Sequence, residues 1–188
     1  MNNKYYPNLA SPITINGVTF KNRIFGAPMS NPELDPDCHM RKEDMAFHEN
    51  RAQGGLASVA IGLGIVDAVG RTHTKEVTLY DVMSLPSLKE MAKAMHRHNC
   101  NAVMELAHGG KYANARSHDG SSGQCAIGPN DEINPDGLTV RRMTEEDIYR
   151  VADCFASAAK LVKEAGFDMV LIHGGHGWLL GHLVAVYE

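Results

Sequence analysis

Short apolar runs alternate with longer amphipathic stretches along this chain. The runs predict four strands, one from Ile24 to about Ala27 and ended by Pro28, and others at 56–61, 101–107 and 167–173. The intervening stretches predict helices from about Arg41 to Gln53, from Leu85 to about His98, and from Thr144 onward. Because each strand is apolar on both faces, the pattern indicates parallel strands joined by crossover helices.

A β-hairpin is predicted before the first of these strands. Two alternating runs in ITINGVTF flank Asn16 and Gly17, a dipeptide that tolerates the positive φ angles of a type I′ turn.

The last helix has a recognisable start, apolar face and end. Thr144 can cap its first turn, with Asp147 three residues on as the capping-box acid, and Gly166 is expected to end it. The apolar face predicted from the spacing is Ile148, Val151, Phe155, Ala158, Leu161 and Val162.

Four strand–helix units are compatible with two architectures. An open doubly wound sheet normally carries a Gly-rich phosphate loop directly after a strand, and the glycines of IGLGIVDAVGR do not fit that fingerprint. A TIM (β/α)8 barrel collects its chemistry at the carboxyl ends of the strands, where this chain keeps its unusual residues. We therefore predict that residues 1–188 form half of such a barrel, about four β/α units of an α/β fold with an N-terminal β-hairpin. The open edges of its first and fourth strands are expected to favour pairing with another chain, or a homo-oligomer.

Composition and charge limit the kinds of molecule that the protein is expected to bind. A net charge of -4 and scattered basic residues argue against nucleic acid, and no apolar run is long enough to cross a membrane. The amino terminus lacks the apolar middle of a signal peptide, so a cytoplasmic protein is expected. The four cysteines show no CxxC pairing, which indicates free thiols and no iron–sulfur cluster encoded in this chain. A small-molecule substrate is the prediction that remains.

Polar and conformationally special residues follow each predicted strand. They are Ala27, Pro28, Met29 and Ser30 after the first; Gly62 after the second; Glu105, His108 and Tyr112 in or after the third; and His173, His176 and Trp178 after the fourth. Each has an ordinary structural explanation on its own, such as Ser30 capping a turn or Glu105 pairing with Lys111. Their coincidence at four consecutive strand ends instead predicts one common site.

The spacing of His173 and His176 first suggests a metal site. Glycines at 174, 175 and 177 make the segment a turn, however, and no third ligand is evident, so we expect no metal. Imidazoles that donate hydrogen bonds to a substrate carbonyl oxygen fit better. Such donors would stabilise the enolate-like charge that develops when hydride adds to an activated alkene.

Three ordered motifs, SPITINGVTFKNRIFGAPMS, ELAHGGKYA and GFDMVLIHGGHGWLLG, resemble the old yellow enzyme family. The resemblance is to its NADH:flavin oxidoreductase and 2,4-dienoyl-CoA reductase branch, including the bile-acid-inducible enoate reductases. It implies FMN as cofactor, NADH or NADPH as reductant, and an enoyl or enone substrate whose conjugated C=C bond is reduced.

The resemblance also implies roles for individual residues. Pro28, Met29 and Ser30, preceded by Ala27, would line the flavin, with Gly62 beside the same ring. His173 and His176 would bind the substrate carbonyl oxygen, and His173 would also lie near the cofactor.

Two positions depart from the commonest family pattern. Glu105 stands where many relatives have Gln, and a carboxylate can accept from a flavin N–H but cannot donate to a flavin carbonyl. Trp178 replaces the Tyr that supplies a proton in many relatives, and an indole is no practical general acid. Tyr112 is the nearest alternative proton donor by sequence.

The resemblance breaks at His182, where the chain reads HLVAVYE instead of the family's continuation. The family's later strands supply a flavin-contacting Arg and the FMN phosphate site, which in barrels forms after strands seven and eight. The larger reductases carry their iron–sulfur cluster further downstream. We therefore expect a truncated form that binds FMN weakly, or alternatively an inactive half-barrel that self-associates or pairs with another chain. The polar, Gly-rich segment Lys111–Met143 is expected to cover the site as a loop.

Overall fold

The computed structural model describes residues 5–30, 34–73, 76–114 and 125–185. In chain order, the helices and strands are α1 (Pro7–Ala10), β1 (Ile13–Ile15), β2 (Val18–Phe20), β3 (Phe25–Met29), α2 (Lys42–Gln53), β4 (Ser58–Ile65), β5 (Val77–Thr78), α3 (Leu85–His96), β6 (Asn101–Ala107), β7 (Ala126–Gly128), β8 (Glu132–Ile133), β9 (Thr139–Arg142), α4 (Glu145–Glu164), β10 (Met169–Ile172) and α5 (Leu179–Val184). Within the described ranges, no helix combines the length and apolar character needed to cross a bilayer.

The principal sheet is parallel, and its strands lie in the order β3, β4, β6, β10, with the short β5 beside β4. A doubly wound sheet reverses its strand order at a switch point, whereas here the spatial order follows the chain order. Consecutive order with intervening helices is the arrangement of a (β/α)8 barrel. The predicted four-unit partial barrel is therefore what the chain forms.

The core lies between this sheet and the helices that cross over it. Its fully buried members include Val59, Ile61, Met104 and Leu106 from the strands, Leu88, Met91 and Met95 from α3, and Ala158 and Val162 from α4. Each large apolar side chain buried in this way contributes roughly 1.5–3 kcal/mol. This packing fixes the strand ends that carry the candidate site.

The predicted hairpin and the predicted cap of α4 are both confirmed. β1 and β2 pair antiparallel around Asn16 and Gly17, which have φ angles of 47° and 83°. The Thr144 hydroxyl accepts from the Asp147 N–H, while the Asp147 carboxylate accepts from the Thr144 N–H. Ile148 is 48% exposed, so the predicted apolar face is wrong at its first position.

Two predicted strand ends are wrong. Pro28 lies inside β3, at the point where the register against β4 shifts between Gly26 and Met29. An edge strand tolerates proline at such an irregularity because the missing N–H leaves no ladder bond unmade. β4 runs past Gly62 to Ile65, because these residues continue to pair with β6 and β5. α3 ends at His96, two residues before the predicted end.

The segment predicted as a loop over 111–143 contains a second sheet. β7 pairs parallel with β9, and β8 pairs antiparallel with β9. These strands are only two to four residues long, which is too short for a hydrophobic period to identify them. Positions 115–124 of the predicted loop lie outside the described residues.

Candidate functional site

A glycine-rich turn between β10 and α5 carries the two histidines. The His173 N–H donates to the carbonyl of Leu106 at 2.9 Å, so the turn begins on the ladder with β6. Leu171 of β10 is the register partner of Glu105, which places His173 two residues beyond that carboxylate. His173 Nδ1 lies 2.9 Å from Glu105 Oε1, and both side chains are buried. The sheet register therefore creates a histidine–carboxylate pair at the carboxyl ends of β6 and β10.

His176 extends this pair outward. Its Nδ1 lies 3.2 Å from His173 Nε2, and the two rings stack at a centroid distance of 5.1 Å and an interplanar angle of 20°. The backbone at His176 has a φ of 59°, a left-handed conformation for which histidine is enriched among non-glycine residues. Trp178 meets the His173 ring edge-on at 5.0 Å. The turn thus holds three aromatic rings against one another.

Both ring nitrogens of His173 are engaged, one by Glu105 and one by His176. His176 is exposed, and among the described residues nothing bonds to its Nε2. Of the predicted pair, His176 therefore presents the outward nitrogen, while His173 is the inner link.

Gly62 lies beside the carboxylate of Glu105. A Cβ added at Gly62 would stand 2.6 Å from Glu105 Oε2 and 3.3 Å from the Pro28 Cβ, so a side chain there would displace the Glu105 carboxylate. Gly62, Pro28 and Glu105 thus form a narrow cradle within three neighbouring strands, toward their carboxyl ends. A flat ring system with a polar N–H edge, such as a flavin, fits a bare backbone beside an acceptor carboxylate oxygen. Met29 and Ser30 are exposed at the edge of this region.

Arg51 of α2 holds the end of β3 in place, a contact that the sequence pattern did not indicate. Its Nη2 donates to the carbonyl of Ala27 at 2.7 Å, where the β3–β4 ladder is interrupted. Arg51 Nη1 lies 3.4 Å from His48 Nδ1. Burial, and then the positive charge of Arg51, lower the pKa of His48 to about 3. His48 is therefore neutral, and it can accept from the guanidinium that positions Ala27 and Pro28.

Tyr112 follows β6 and approaches the histidine turn from the side. A Cβ added at Gly177 would lie 3.7 Å from its hydroxyl oxygen. Lys111 lies over the Tyr112 ring, with Nζ 5.6 Å from the centroid and 3.7 Å from Glu132 Oε2. The structure thus pairs Glu105 with His173 and Lys111 with Glu132.

Beneath the site, Asp67 links three segments. Its Oδ2 lies 2.6 Å from Arg150 Nη1 and 3.5 Å from His108 Nε2, and its Oδ1 accepts from the N–H of Val69. Burial by itself raises the pKa of Asp67, but the interactions with His108, Arg150 and the Val69 N–H outweigh it and lower the pKa to about 2. The carbonyl of His108 accepts from the Leu179 N–H, so this cluster also supports the end of the histidine turn.

Asp67→Asn is expected to lower the free energy of unfolding at pH 7 by about 2 kcal/mol, the equivalent of a pKa lowered from 3.8 to about 2. A carboxyl whose pKa is depressed on folding stabilises above its unfolded pKa and loses that contribution as the pH falls. The wild-type chain should therefore lose this stability between about pH 4 and pH 2, and the variant should not. Urea unfolding at several pH values measures both effects. Asp136→Asn, at an exposed turn, is the matched control, and an equal loss in the two variants would contradict the assignment.

The chain is similar in sequence to known proteins over most of its length. Residues 8–187 match the NADH:flavin oxidoreductase / NADH oxidase family. The chain is similar to an NADPH dehydrogenase of Geobacillus sp. (strain WCH70), at 31% identity over 94% of this chain and 51% of the relative. It is also 30% identical to a probable NADH-dependent flavin oxidoreductase, YqiG, of Bacillus subtilis (strain 168), over 96% of this chain and 47% of that protein. The chain thus spans about half the length of these relatives.

Among solved structures, the Old Yellow Enzyme from Pichia sp. AKU4542 superposes with a TM-score of 0.83 at 22% identity, over 93% of this chain and 47% of that one. This likeness confirms the fold as part of a TIM barrel. With the family match covering nearly all of its length, the chain belongs to the NADH:flavin oxidoreductase / NADH oxidase family.

Proposed function

We propose that the protein reduces a C=C bond conjugated to a carbonyl group, with FMN as cofactor and NADH or NADPH as reductant. The observation that carries this proposal is the position of the Glu105–His173–His176 cluster beside the bare backbone of Gly62. A flavin cradle and a hydrogen-bond donor for a carbonyl oxygen lie next to each other at the same strand ends. Enoyl or dienoyl thioesters and simple enones share the required conjugated carbonyl.

The cradle residues would hold the flavin, with Pro28 and Gly62 against the ring and Glu105 Oε2 available to accept from a flavin N–H. Ala27, Met29 and Ser30 would complete its edge on β3. When bound, FMN supplies the hydride that the reductant provides.

The histidine turn would bind the substrate. His176 Nε2–H can donate to the carbonyl oxygen, where negative charge develops as the alkene is reduced. His173 holds the His176 ring in its stacked orientation, and Trp178 holds His173 from the other side. Tyr112 is the phenol closest to the turn in the part of the chain that the structure describes, and it is a candidate proton donor.

We also infer a cytoplasmic protein. Cys38, Cys100, Cys125 and Cys154 are all free thiols, as a reducing compartment keeps them, and NAD(P)H is available there.

A second candidate function, pairing with another chain, is favoured by the edges of the parallel sheet. Within the described residues, β3 and β10 are each paired on one side only. Their side chains Phe25, Met29, Val170, Leu171 and Ile172 are 38–50% exposed. Unpaired apolar strand edges favour association with a second copy of the chain or a complementary half-barrel.

One set of measurements on the purified chain tests both candidates. With FMN at saturating concentration, the chain should reduce 2-cyclohexenone with NADPH or NADH faster than free FMN does. A rate no greater than that of free FMN contradicts the proposed reaction. Size-exclusion chromatography decides on pairing, since a stable 20.5 kDa monomer would exclude self-association.

A further inference from the structure

Glu105, His173 and His176 form a continuous hydrogen-bonded chain from the buried sheet to the exposed turn. The links are 2.9 Å from Glu105 Oε1 to His173 Nδ1 and 3.2 Å from His173 Nε2 to His176 Nδ1. Exposure rises along the chain, because Glu105 and His173 are buried and His176 is exposed. Such a chain has a defined inner end and a defined outer end.

Counting protons along this chain gives two states. An ionised Glu105 only accepts, so His173 Nδ1 carries a proton, and one further proton lies between His173 Nε2 and His176 Nδ1. With those two protons the imidazole pair is neutral and His176 Nε2 is a bare acceptor. A third proton places an N–H on His176 Nε2, and the pair then carries one positive charge opposite the Glu105 carboxylate.

We propose that the hydrogen-bonded side chains of Glu105, His173 and His176 together carry a proton. Glu105 stabilises the three-proton state, and His176 Nε2 delivers the proton. Glu105 is a positioning residue in this scheme, and His176 is the group that touches substrate. A buried carboxylate is costly unless a positive partner balances it, and the protonated histidine pair supplies that charge. The proposal rests on the proposed reduction, for which it supplies the proton.

The transfer keeps both internal hydrogen bonds. The His176 Nε2–H bond would break, with its electron pair left on nitrogen, and an O–H bond would form on a substrate oxygen that carries enolate-like negative charge. The proton between the rings moves from His173 Nε2 to His176 Nδ1. The pair ends neutral, with His173 Nδ1–H still donating to Glu105, and water can reload the exposed His176 ring.

A glutamine at position 105 would give different chemistry. Its amide N–H can donate to His173 Nδ1, which orients His173 Nε2–H toward His176 and leaves His176 Nε2–H as a donor on a neutral pair. That arrangement binds a carbonyl oxygen but has no negative charge to stabilise a third proton. With glutamine, His176 Nε2–H would be a fixed hydrogen-bond donor, whereas with Glu105 the His176 Nε2 atom can gain and lose a proton. Trp178, at the same site, is no practical acid. Among the described residues, other ionisable groups near the turn include Tyr112 and, over its ring, Lys111. His182 follows in α5, where its N–H donates to the Trp178 carbonyl and its Nε2 lies 3.6 Å from Glu132 Oε1.

The test is ¹⁵N NMR of the full chain labelled on histidine, which reports the proton on each ring nitrogen across a pH series. In the wild type, we expect His173 Nδ1 to remain protonated throughout, while His173 and His176 take up the third proton together, in one shared transition. A bare His173 Nδ1, or two rings that titrate independently, would overturn the proposal. This measurement needs no substitution, so it stands even if a variant does not fold.

The variant Glu105→Gln should abolish the shared transition and reverse the protonated nitrogen of His173. Glu49→Gln is the matched control, since it removes the carboxylate from another glutamate–histidine contact, 3.1 Å from His98 Nε2, and should leave the His173 and His176 signals unchanged. Unchanged His173 and His176 signals in Glu105→Gln would also overturn the proposal. The NMR signals are measured on the protein without cofactor or substrate, so they can show the expected transition even if enone reduction fails. The two proposals are therefore tested separately.

Discussion

His173→Ala is expected to lower kcat/KM for enone reduction by about 10²–10³-fold, the usual effect of losing a preorganised oxyanion donor, because His176 is no longer held in place. The substitution deletes the inner imidazole, so the Glu105 carboxylate loses its partner and His176 Nδ1 loses the atom that fixes its ring. His176 can then rotate freely. The effect should appear mainly in kcat, since the lost interaction is strongest when charge develops on the substrate oxygen.

The measurement is initial-rate kinetics at saturating FMN, well below the melting temperatures of both proteins. His96→Ala is the matched control, because His96 also contacts a carboxylate, with Nε2 2.8 Å from Asp168 Oδ2, but lies at the opposite ends of the strands. It should change kcat/KM by less than about threefold, in line with an exposed ion pair of little energetic value. A comparable loss in both variants would indicate a general effect on folding and would contradict the role of His173.

The main strands and helices could be predicted because each depends on the pattern of residues within its own segment. β6 matches its predicted bounds, 101–107, since a mainly apolar run between a polar turn and a glycine pair has few alternatives. The N-terminal cap of α4 could also be predicted from the sequence, because it depends on two side chains three residues apart, Thr144 and Asp147.

What could not be predicted depends on contacts between distant segments. β4 continues through Gly62 because β6 and β5 offer it partners, and the sequence around the glycines gives no sign of this. The pairing of Glu105 with His173 is set by the register of β6 against β10 across 68 residues of sequence. A list of strand-end residues predicted that both belong to one site, but not that the carboxylate bonds to the histidine.

The close contact between Gly110 and the histidine turn is another such feature, and it leads to the second large expected effect. Gly110 has a φ of 60°, and a Cβ added there would lie 2.8 Å from the Cα and 2.9 Å from the N of Leu179. Leu179 directly follows Trp178, and its N–H donates to the His108 carbonyl. Backbone atoms cannot rotate away as a side chain can, so any larger residue at 110 must push the whole turn outward.

Gly110→Ala should therefore lower the free energy of unfolding by about 3–5 kcal/mol, the sum of a left-handed alanine and an overpacked contact. Gly137→Ala separates the two terms, because Gly137 has a similar φ of 77° and no heavy atom within 4 Å of an added Cβ. The control should lose only about 1–2 kcal/mol, the backbone cost alone. Urea unfolding gives both values, and the ¹⁵N signals of His173 and His176 should shift in Gly110→Ala only. Equal losses in the two variants would mean that the turn can yield at no cost, and that its contact with Gly110 does not hold the histidines in place.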